Sequence, residues 1–479
     1  MVGYAARRDR EGRLEEVAVL AEHYDIVILG GGPAGYGTAL YGAAAGLNIA
    51  LVEEGRVGGT CLHRGCVPAK ELLQTAEVLR TIQRAPDFGV DAGHPTLDLG
   101  RSQARKQEVV DSLTKGLEGL LKGRNVTVYD QRGEIVHAAD RRVRLADGTE
   151  IEGDNLVIAT GSSPRSLPGL EFDGVRVLSS DHVLQLTEVP ARVGIIGGGV
   201  IGAEFASMLV DMGSEVTIIE ALPRILAPTD PDVGKIVARS FKKRGINVQA
   251  GARLTGIEGA RELTLTWDAG AGEQSATVDK LIVSVGRAPN SANIGLDGSG
   301  VHVDDRGFVV VDGNLRTSLP GVYAAGDVVD TPALAHVGFA EAIVVVKTIL
   351  GEPVTPVDYE KVPWVVYSQP EVAWCGLTEE QAREQGHDVA VSTHRFAGDA
   401  RAMIIGETDG LVKLVTDADG LLLGVHIVGP WATELLGEGY LAVNWEANAS
   451  DIATLVHPHP TLSEVFGEAA LALTGRSLH

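Results

Sequence analysis

A glycine-rich pattern that occurs twice constrains the fold of this chain more than any other feature. The two copies share the spacing Gly-x-Gly-x-x-Gly and lie 167 residues apart: Gly30, Gly32 and Gly35, then Gly197, Gly199 and Gly202. In a strand-turn-helix unit the first glycine permits a tight turn, the second lets a pyrophosphate approach the backbone, and the third lets the helix pack against the strand. A single copy is also compatible with a plain turn, but two copies in register predict two Rossmann-like dinucleotide-binding units.

The residues around each copy support this interpretation. Strands are predicted over 24–29 and 48–52 around the first turn, and over 192–196 and 215–219 around the second. Each second strand ends at an acidic residue, Glu53 or Glu220, where a carboxylate accepts hydrogen bonds from an adenosine ribose. The phosphates are expected at the helix N-termini, where backbone N–H groups favour anions.

Two dinucleotide units in one chain suggest that electrons pass between two nucleotides, and FAD with a nicotinamide nucleotide is the natural pair. Glu220 favours NAD over NADP, because a carboxylate binds a ribose 2′-hydroxyl and repels a 2′-phosphate. Arg224, which lies nearby in the sequence, is the residue that would favour the phosphate.

Two of the three cysteines lie just after the first nucleotide unit, in Gly59-Thr60-Cys61-Leu62-His63-Arg64-Gly65-Cys66. A C-x4-C pair in a chain with few cysteines is redox-active or metal-binding rather than part of a disulfide framework. Zinc needs four ligands, and no fourth is evident beside the two cysteines and His63, so no metal site is predicted. The third cysteine, Cys375, is interpreted as a small buried apolar residue.

Length and charge restrict the function classes. A chain of 479 residues is too long for one core and predicts about three domains. The net charge of −23 argues against a nucleic-acid or anionic-membrane partner. No apolar run approaches the ~20 residues that span a bilayer, and the N-terminus lacks the apolar segment of a secretory signal. A cytoplasmic protein is expected.

The order of signals along the chain predicts an α/β protein in which one Rossmann-like domain is inserted in another, followed by an α+β domain. Strands that close into turns at 156–161 and 281–289 bracket the second nucleotide unit, and Val322–Val328 is a further strand. In that last strand Asp327 either binds a polyol hydroxyl or caps a helix. The predicted parts are a flexible extension (1–22), an FAD domain (23–165 and 290–355), an NAD domain (166–289) and a dimerisation domain (356–479).

The C-terminal domain carries one chemically distinctive stretch, His457-Pro458-His459-Pro460-Thr461-Leu462-Ser463-Glu464. A helix is predicted to begin near Pro460 or Thr461. Glu464 is then placed to orient His459, as a carboxylate fixes an imidazole tautomer and raises its basicity. For His459 alone, a packing or capping role is the alternative.

Taken together, these motifs resemble those of the flavoprotein disulfide reductases, in the same order, over residues 24–479, and within that family most closely those of the dihydrolipoamide dehydrogenases. The resemblance implies a homodimer in which Cys61 is the interchange thiol, Cys66 the thiol beside the flavin, and His459 of the other subunit the acid/base held by Glu464. It implies that Lys70 lies beside the flavin and pairs with Glu204. The FAD contacts it implies are Gly30, Gly32, Gly35, Glu53, Gly59, Thr60, Lys70, Gly133, Thr160, Gly161, Asp327 and Ala335. The NAD contacts it implies are Gly197, Gly199, Gly202, Glu220, Leu254 and Gly286.

The activity implied by the resemblance is oxidation of protein-bound dihydrolipoyl groups through a Cys61–Cys66 disulfide and FAD, with hydride transfer to NAD. The implied partners are the lipoyl domains of 2-oxo-acid dehydrogenase complexes, borne by the dihydrolipoyl acyltransferase. An NAD(P)H-dependent reductase of a low-molecular-weight disulfide is the alternative, and a catalytically weak flavoprotein acting as a binding subunit is a second one. The chain departs from the family pattern at His63-Arg64, where Asn-Val is common, and at Pro458, where a small residue is usual.

Overall fold

The computed structural model describes residues 3–8, 14–19, 22–259, 262–270 and 272–478. The chain divides into two compact units. The first comprises Met1–Cys66, Val109–Ser163 and Arg287–Val357, and the second comprises Val67–Glu108, Pro164–Gly286 and Asp358–His479.

The strands are named in chain order. Those before residue 165 are β1 (Gly3–Arg8), β2 (Leu14–Val19), β3 (Glu22–Leu29), β4 (Ile49–Glu53), β5 (Thr127–Asp130), β6 (Gly133–His137), β7 (Arg142–Leu145), β8 (Glu150–Ile158) and β9 (Ser162–Pro164). Those up to residue 324 are β10 (Val177–Leu178), β11 (Arg192–Ile196), β12 (Glu215–Glu220), β13 (Asn247–Ala250), β14 (Arg253–Glu258), β15 (Leu263–Asp268), β16 (Glu273–Val278), β17 (Lys280–Val283), β18 (Arg287–Pro289) and β19 (Val322–Ala324). The last five are β20 (Trp364–Val366), β21 (Glu371–Gly376), β22 (Val389–Arg395), β23 (Leu411–Asp417) and β24 (Leu422–Gly429).

The helices are named in the same way. The α-helices are α1 (Pro33–Ala44), α2 (Gly59–His63), α3 (Cys66–Arg84), α4 (Leu99–Gly123), α5 (Ser180–Val183), α6 (Val200–Asp211), α7 (Pro231–Lys243), α8 (Ala335–Leu350), α9 (Glu379–Glu384), α10 (Ala400–Ile404), α11 (Ala432–Asn444), α12 (Ala449–Ile452) and α13 (Glu464–Leu473). Short 3₁₀ helices span Ala85–Phe88 and Phe396–Gly398.

The first unit is built on a sheet of strand order β5-β4-β3-β8-β7-β6, in which β19 pairs with the C-terminal end of β8. Strands β3, β4, β5, β8 and β19 run parallel, whereas β6 and β7 form an antiparallel extension. Val27 and Ile28 on β3 are fully buried because a parallel sheet is covered on both faces. Because β19 returns to β8 after residues 164–286 have entered the second unit, the predicted insertion of one nucleotide domain in the other is confirmed.

The second unit combines three sheets. The parallel sheet β10-β17-β11-β12-β13 carries the second glycine turn, and β14, β15 and β16 form an antiparallel sheet. The C-terminal sheet has the antiparallel order β20-β21-β24-β23-β22. Its Trp374 face shares a core with Phe205 and Phe241 of the nucleotide-binding part, while Cys375 on the opposite face packs in the core formed with α11 and α13.

The predicted fold class is confirmed, and the predicted α+β part at the C-terminal end contains strands β20 to β24 and helices α9 to α13. Strand β21, the second strand of this sheet, carries Cys375. The helix predicted to begin at Pro460 or Thr461 begins instead at Glu464, so that start is wrong. The reason is local: the Glu464 carboxylate accepts the Thr461 N–H at 2.8 Å, which closes the preceding turn through a side chain.

For the predicted flexible extension 1–22, the backbone of 3–8 and 14–19 pairs as the antiparallel strands β1 and β2, and residue 22 begins β3. Residues 1–2, 9–13 and 20–21 of that extension lie outside the described residues. The predicted domain boundaries stay predictions. Among the helices of the described ranges, none has both the length and the apolar character required to cross a bilayer.

Candidate active site

The two cysteines lie on consecutive helices, and the first of these helices begins against the first glycine turn. Cys61 is in the middle of α2 and Cys66 is the first residue of α3. The Gly58 N–H donates to the Gly31 carbonyl at 2.8 Å, and a side chain on Gly59 would come within 2.6 Å of the Gly32 Cα. The sequence therefore places a dithiol directly against the turn predicted to bind a pyrophosphate.

Tyr36, one residue beyond this glycine turn, was missed by the sequence interpretation. Burial raises the pKa of its hydroxyl to about 12, and charge on Cys61 and Cys66 adds to the shift. The phenol is therefore within electrostatic range of both sulfur atoms. Its ring packs edge-on against Phe339 of α8, with centroids 5.4 Å apart.

The three glycines of the first turn are required for three different reasons. Gly30 has φ of +107°, and a Cβ there would lie 2.2 Å from the Ala159 carbonyl oxygen. A Cβ on Gly35 would lie 1.8 Å from the Gly30 carbonyl oxygen, so this residue lets α1 approach β3. Gly32 has an ordinary φ of −72°, and nothing of the protein lies within 4 Å of its Cβ position. Space therefore remains beside the N-terminus of α1, where no side chain caps the helix.

Glu53 holds the first turn together. Its Oε2 accepts the Gly31 N–H at 2.6 Å, and its Oε1 accepts the Gly55 N–H at 2.9 Å. A carboxylate oxygen has two lone-pair sites, so each oxygen retains capacity for a ligand hydroxyl.

The second turn repeats this geometry. Gly197 has φ of +101°, a Cβ on Gly202 would lie 2.0 Å from the Gly197 carbonyl oxygen, and the Cβ position of Gly199 again has nothing within 4 Å. Glu220 accepts the Gly198 N–H at 2.6 Å and the Leu222 N–H at 2.7 Å. The two turns thus have the same backbone geometry, and each is closed by one carboxylate.

The guanidinium of Arg224 is engaged by other groups. Its Nη2 donates to the Ala227 carbonyl at 3.1 Å and to Glu380 at 3.4 Å. The acidic group of the turn, Glu220, is 9% exposed, and its contact with a ribose stays a prediction. The other two predicted NAD contacts are Leu254, half-buried on β14, and Gly286, which has φ of +108° and directly precedes β18.

The remaining predicted FAD contacts in the first unit lie where strands or helices begin or end. Gly133 begins β6, where a Cβ would come within 2.8 Å of Leu29 and Val52, so packing also requires glycine there. Thr160 donates its hydroxyl to the Asn290 carbonyl at 2.7 Å. Gly161 follows with φ of +71°, and Ala335 is the first residue of α8.

Asp327 belongs to a polar cluster that sequence reasoning found only in part. Its Oδ2 accepts the Ser162 hydroxyl at 2.6 Å and lies 3.7 Å from the Arg287 Nε, rather than capping a helix. Arg287 also donates to Ser162, from Nε to the hydroxyl and from Nη2 to the carbonyl, at 2.6 Å each. The signal for Arg287 was its place directly after Gly286 in a strand-closing motif.

Lys70 and Glu204 form an ion pair within the second unit. The Lys70 Nζ lies 2.9 and 2.8 Å from the two carboxylate oxygens of Glu204, whose side chain is 5% exposed. Glu204 also accepts the Tyr367 N–H at 2.9 Å, and the Lys70 ammonium lies 5.0 Å from the centre of the Tyr367 ring. Tyr367 therefore fixes both partners, through its backbone and through a cation–π contact.

His459 and Glu464 form the second predicted pair of this unit, with His459 Nδ1 2.8 Å from Glu464 Oε1. Burial would raise the pKa of Glu464, but the Thr461 N–H and His459 outweigh it, and the net pKa lies below the usual value. An ionised carboxylate only accepts hydrogen bonds, so Nδ1 carries the proton. The His459 side chain, which also carries Nε2, is 70% exposed.

Two comparisons of the sequence and one of the fold identify the family that carries this arrangement. The profile of a pyridine nucleotide-disulphide oxidoreductase matches residues 24–342, and that of the dimerisation domain of the same enzymes matches residues 362–470.

The chain belongs to the pyridine nucleotide-disulphide oxidoreductase family.

Relatives within this family cover nearly the whole chain. It is 40% identical to a dihydrolipoyl dehydrogenase of Bacillus subtilis, over 96% of this chain and 100% of the relative, and 41% identical to one of Thermus scotoductus, over 95% and 98%. Among solved structures, LpdA from Mycobacterium tuberculosis superposes with a TM-score of 0.86 at 28% identity, over 95% of this chain and 100% of that one. The HOCl-induced flavoprotein disulfide reductase RclA from Escherichia coli superposes with a TM-score of 0.82 at 30% identity, over 93% and 99%.

Family membership confirms the predicted resemblance, the class of enzyme, and FAD and NAD as cofactors. The residues of this chain fit both groups. Each glycine turn keeps open space at its middle glycine, beside an uncapped helix N-terminus, which is where a pyrophosphate is bound. Each turn is also followed by an ordered carboxylate for a ribose, Glu53 or Glu220.

Proposed function

We propose that this chain oxidises dihydrolipoyl groups to the disulfide, through Cys61 and Cys66 in the first unit, with FAD and NAD as electron carriers. The observation that carries the proposal is the contact between the start of the Cys61 helix, α2, and the first nucleotide turn. Gly58 bonds to Gly31, and Gly59 packs on Gly32, so the cysteines belong to the flavin end of the molecule. The near full-length similarity to dihydrolipoyl dehydrogenases supports dihydrolipoyl groups as the substrate class.

The chemistry begins from the Cys61–Cys66 disulfide. A substrate thiol loses its proton to His459, and the resulting thiolate attacks the Cys61 sulfur, which breaks the disulfide and releases Cys66 as a thiolate. The second substrate thiol then attacks the substrate sulfur of this mixed disulfide and releases Cys61. One substrate dithiol has become a cyclic disulfide, and the cysteine pair has gained the two electrons. When bound, FAD and NAD supply the two-electron relay that returns the pair to its disulfide.

The Cys66 thiolate is stabilised by its place in the chain. It is the first residue of a 19-residue helix, α3, and the N-terminal end of a helix favours a negative charge on sulfur. The helix dipole therefore favours thiolate over thiol at the position that must donate electrons.

His459 acts on the cysteines of the second subunit of a homodimer. The dimerisation-domain profile covers His459, and this supports association through that part of the chain. Val456, three residues before His459, is 96% exposed, and Trp445 at the end of α11 is 78% exposed. Exposed large apolar side chains at this density are typical of an interface.

The dithiol donors are the lipoyl domains of 2-oxo-acid dehydrogenase complexes, and the enzyme works in a reducing cytoplasm. The cysteine content supports this compartment, because two of the three cysteines form the proposed redox pair and the third is buried.

The test is an anaerobic titration of the purified holoenzyme with dihydrolipoamide, followed by steady-state assays with NAD and with NADP. We expect two-electron reduction of the protein and preferential turnover with NAD. Cys61→Ser is expected to abolish dihydrolipoamide oxidation, whereas Cys375→Ala, in which the altered residue is buried on β21, serves as the matched cysteine control and retains it. Turnover of glutathione disulfide with NADPH, but not of dihydrolipoamide with NAD, would overturn the proposal.

A further inference from the structure

A second His–Glu pair lies two residues before the proposed base. The Nε2 of His457 is 2.9 Å from Glu438 Oε1, and the His457 side chain is 12% exposed, against 70% for His459. The two histidines of the His457-Pro458-His459 sequence are therefore in different environments: one is anchored in the protein, and the other projects from it.

The His457 ring is seated against the backbone of α13. At Gly467 a Cβ would lie 2.6 Å from His457 Nδ1 and 2.7 Å from its Cε1, so only glycine leaves room for the ring. Glu438, the hydrogen-bond partner on the other side, lies on α11. The imidazole thus bridges two helices, one by a hydrogen bond and one by close packing.

The segment between His457 and α13 is short and is held by hydrogen bonds between its own residues and Glu464. Thr461 donates its hydroxyl to the Pro458 carbonyl at 2.7 Å, and its N–H to Glu464 Oε2 at 2.8 Å. Glu464 in turn binds His459. His459 is therefore carried by a loop that is fixed at one end by His457 and at the other by Glu464.

An exposed side chain on a loop samples many orientations unless its backbone is fixed, and a misplacement of about 1 Å can cost ~100-fold in rate. The Glu464 hydrogen bond sets the rotation of the imidazole but does not by itself fix the position of the loop. His457, held between α11 and α13, supplies that second constraint. Its electrostatic effect reaches the same group, since His457 also contributes to lowering the pKa of Glu464.

We propose that His457, held between Glu438 and Gly467, is a positioning residue that fixes the loop from which His459 acts as the base. This inference rests on the proposed function, because it concerns the proton transfer in dithiol oxidation.

The experiment compares two activities of the holoenzyme in His457→Leu, His457→Gln and Glu438→Ala. The first activity is dihydrolipoamide oxidation by NAD, which needs the base. The second is NADH oxidation by ferricyanide, which needs both nucleotides but no thiol base. We expect His457→Leu to lower kcat of the first activity about 10- to 100-fold, with little change in KM, and to leave the second unchanged. His457→Gln, whose amide can still donate to Glu438, is expected to recover most of the loss.

The pH profile separates positioning from a general structural defect. In His457→Leu the shape of the pH profile of dihydrolipoamide oxidation is expected to change, whereas His302→Leu, which alters an exposed histidine of the first unit, should change neither rate nor profile. If His457→Leu does not fold, Glu438→Ala decides the question, because it removes the partner and leaves the ring in place. Wild-type kcat and pH profile in the folded variant would overturn the inference. Absence of dihydrolipoamide oxidation in the wild-type enzyme would instead overturn the proposed function.

Discussion

The open space at the middle glycine of the second nucleotide turn leads to a sharp prediction for Gly199→Ala. Gly199 has φ of −72° and ψ of −171°, which alanine adopts without strain, and nothing lies within 4 Å of its Cβ position. The free energy of unfolding should therefore change by no more than ~0.5 kcal/mol. The added methyl group would occupy the space through which a pyrophosphate reaches the N-terminus of α6.

The size of the effect follows from the bond that is lost. A hydrogen bond between a backbone N–H and a charged phosphate contributes ~1.5–3 kcal/mol. Since ~1.4 kcal/mol corresponds to a factor of ten, loss of one such bond raises the KM for NAD about 10- to 150-fold. Bound FAD should be unchanged, because the first turn is untouched.

The assay is a steady-state titration with NAD at saturating dihydrolipoamide, with FAD content taken from visible absorbance. The matched control is Gly202→Ala in the same turn, where a Cβ would meet the Gly197 carbonyl at 2.0 Å and the Ser284 hydroxyl at 2.8 Å. That variant should lose stability, by ~1–3 kcal/mol or more, since overpacking displaces backbone. A wild-type KM for NAD in Gly199→Ala would refute the assignment of this turn to the NAD pyrophosphate.

Three further outcomes are expected. Lys413→Met should lower the free energy of unfolding by ~3–5 kcal/mol in thermal or urea denaturation. The reason is that Asp230, which is fully buried and lies 3.1 Å from the Lys413 Nζ, loses its cation. The double variant with Asp230→Asn should recover much of this loss. Cys375 should resist iodoacetamide in the native enzyme, as followed by mass spectrometry, because burial raises the pKa of its thiol to about 12. Glu464 has a pKa below its ordinary 4.5, so it stabilises the fold above about pH 4.5 and loses that contribution as the pH falls through its lowered value; Glu464→Gln should flatten the pH dependence of stability in that acid range.

The glycine turns show why much of the architecture was predictable. Where a turn brings a backbone atom within about 2 Å of a Cβ position, only glycine fits, as at Gly35 and Gly202. The geometry therefore requires glycine at these positions of the sequence. The acidic residue at the end of the next strand can also be recognised from the sequence. Its carboxylate accepts hydrogen bonds from the turn, and it lies at a fixed number of residues from the glycines. These constraints are local, so the residues that they require occur at fixed spacings in the sequence.

Contacts between residues that are far apart in the sequence produce no recognisable spacing pattern. Lys70 and Glu204 are 134 residues apart, and their pairing was available only through family resemblance. Tyr367, which fixes both, and Arg287, which binds Ser162, could not be assigned from spacing at all. The start of α13 was placed too early because a carboxylate that closes a turn from within the helix looks the same in sequence as an ordinary capping signal.

The two nucleotide turns share their geometry but lead into different segments of chain, and this difference supports the proposed order of electron transfer. After Glu53 the chain enters α2 within six residues, and the start of this Cys61-bearing helix contacts the first turn through Gly58 and Gly59. After Glu220 the chain instead folds Ile225 over the second turn, 2.6 Å from the Cβ position of Gly198, and continues to Asp230, which is tied to Lys413. A dithiol is therefore built onto only one of the two turns in the described part of the chain. Since thiols must meet the nucleotide that they reduce, this difference supports the proposal that the first turn binds the flavin nucleotide and the second binds the nicotinamide nucleotide.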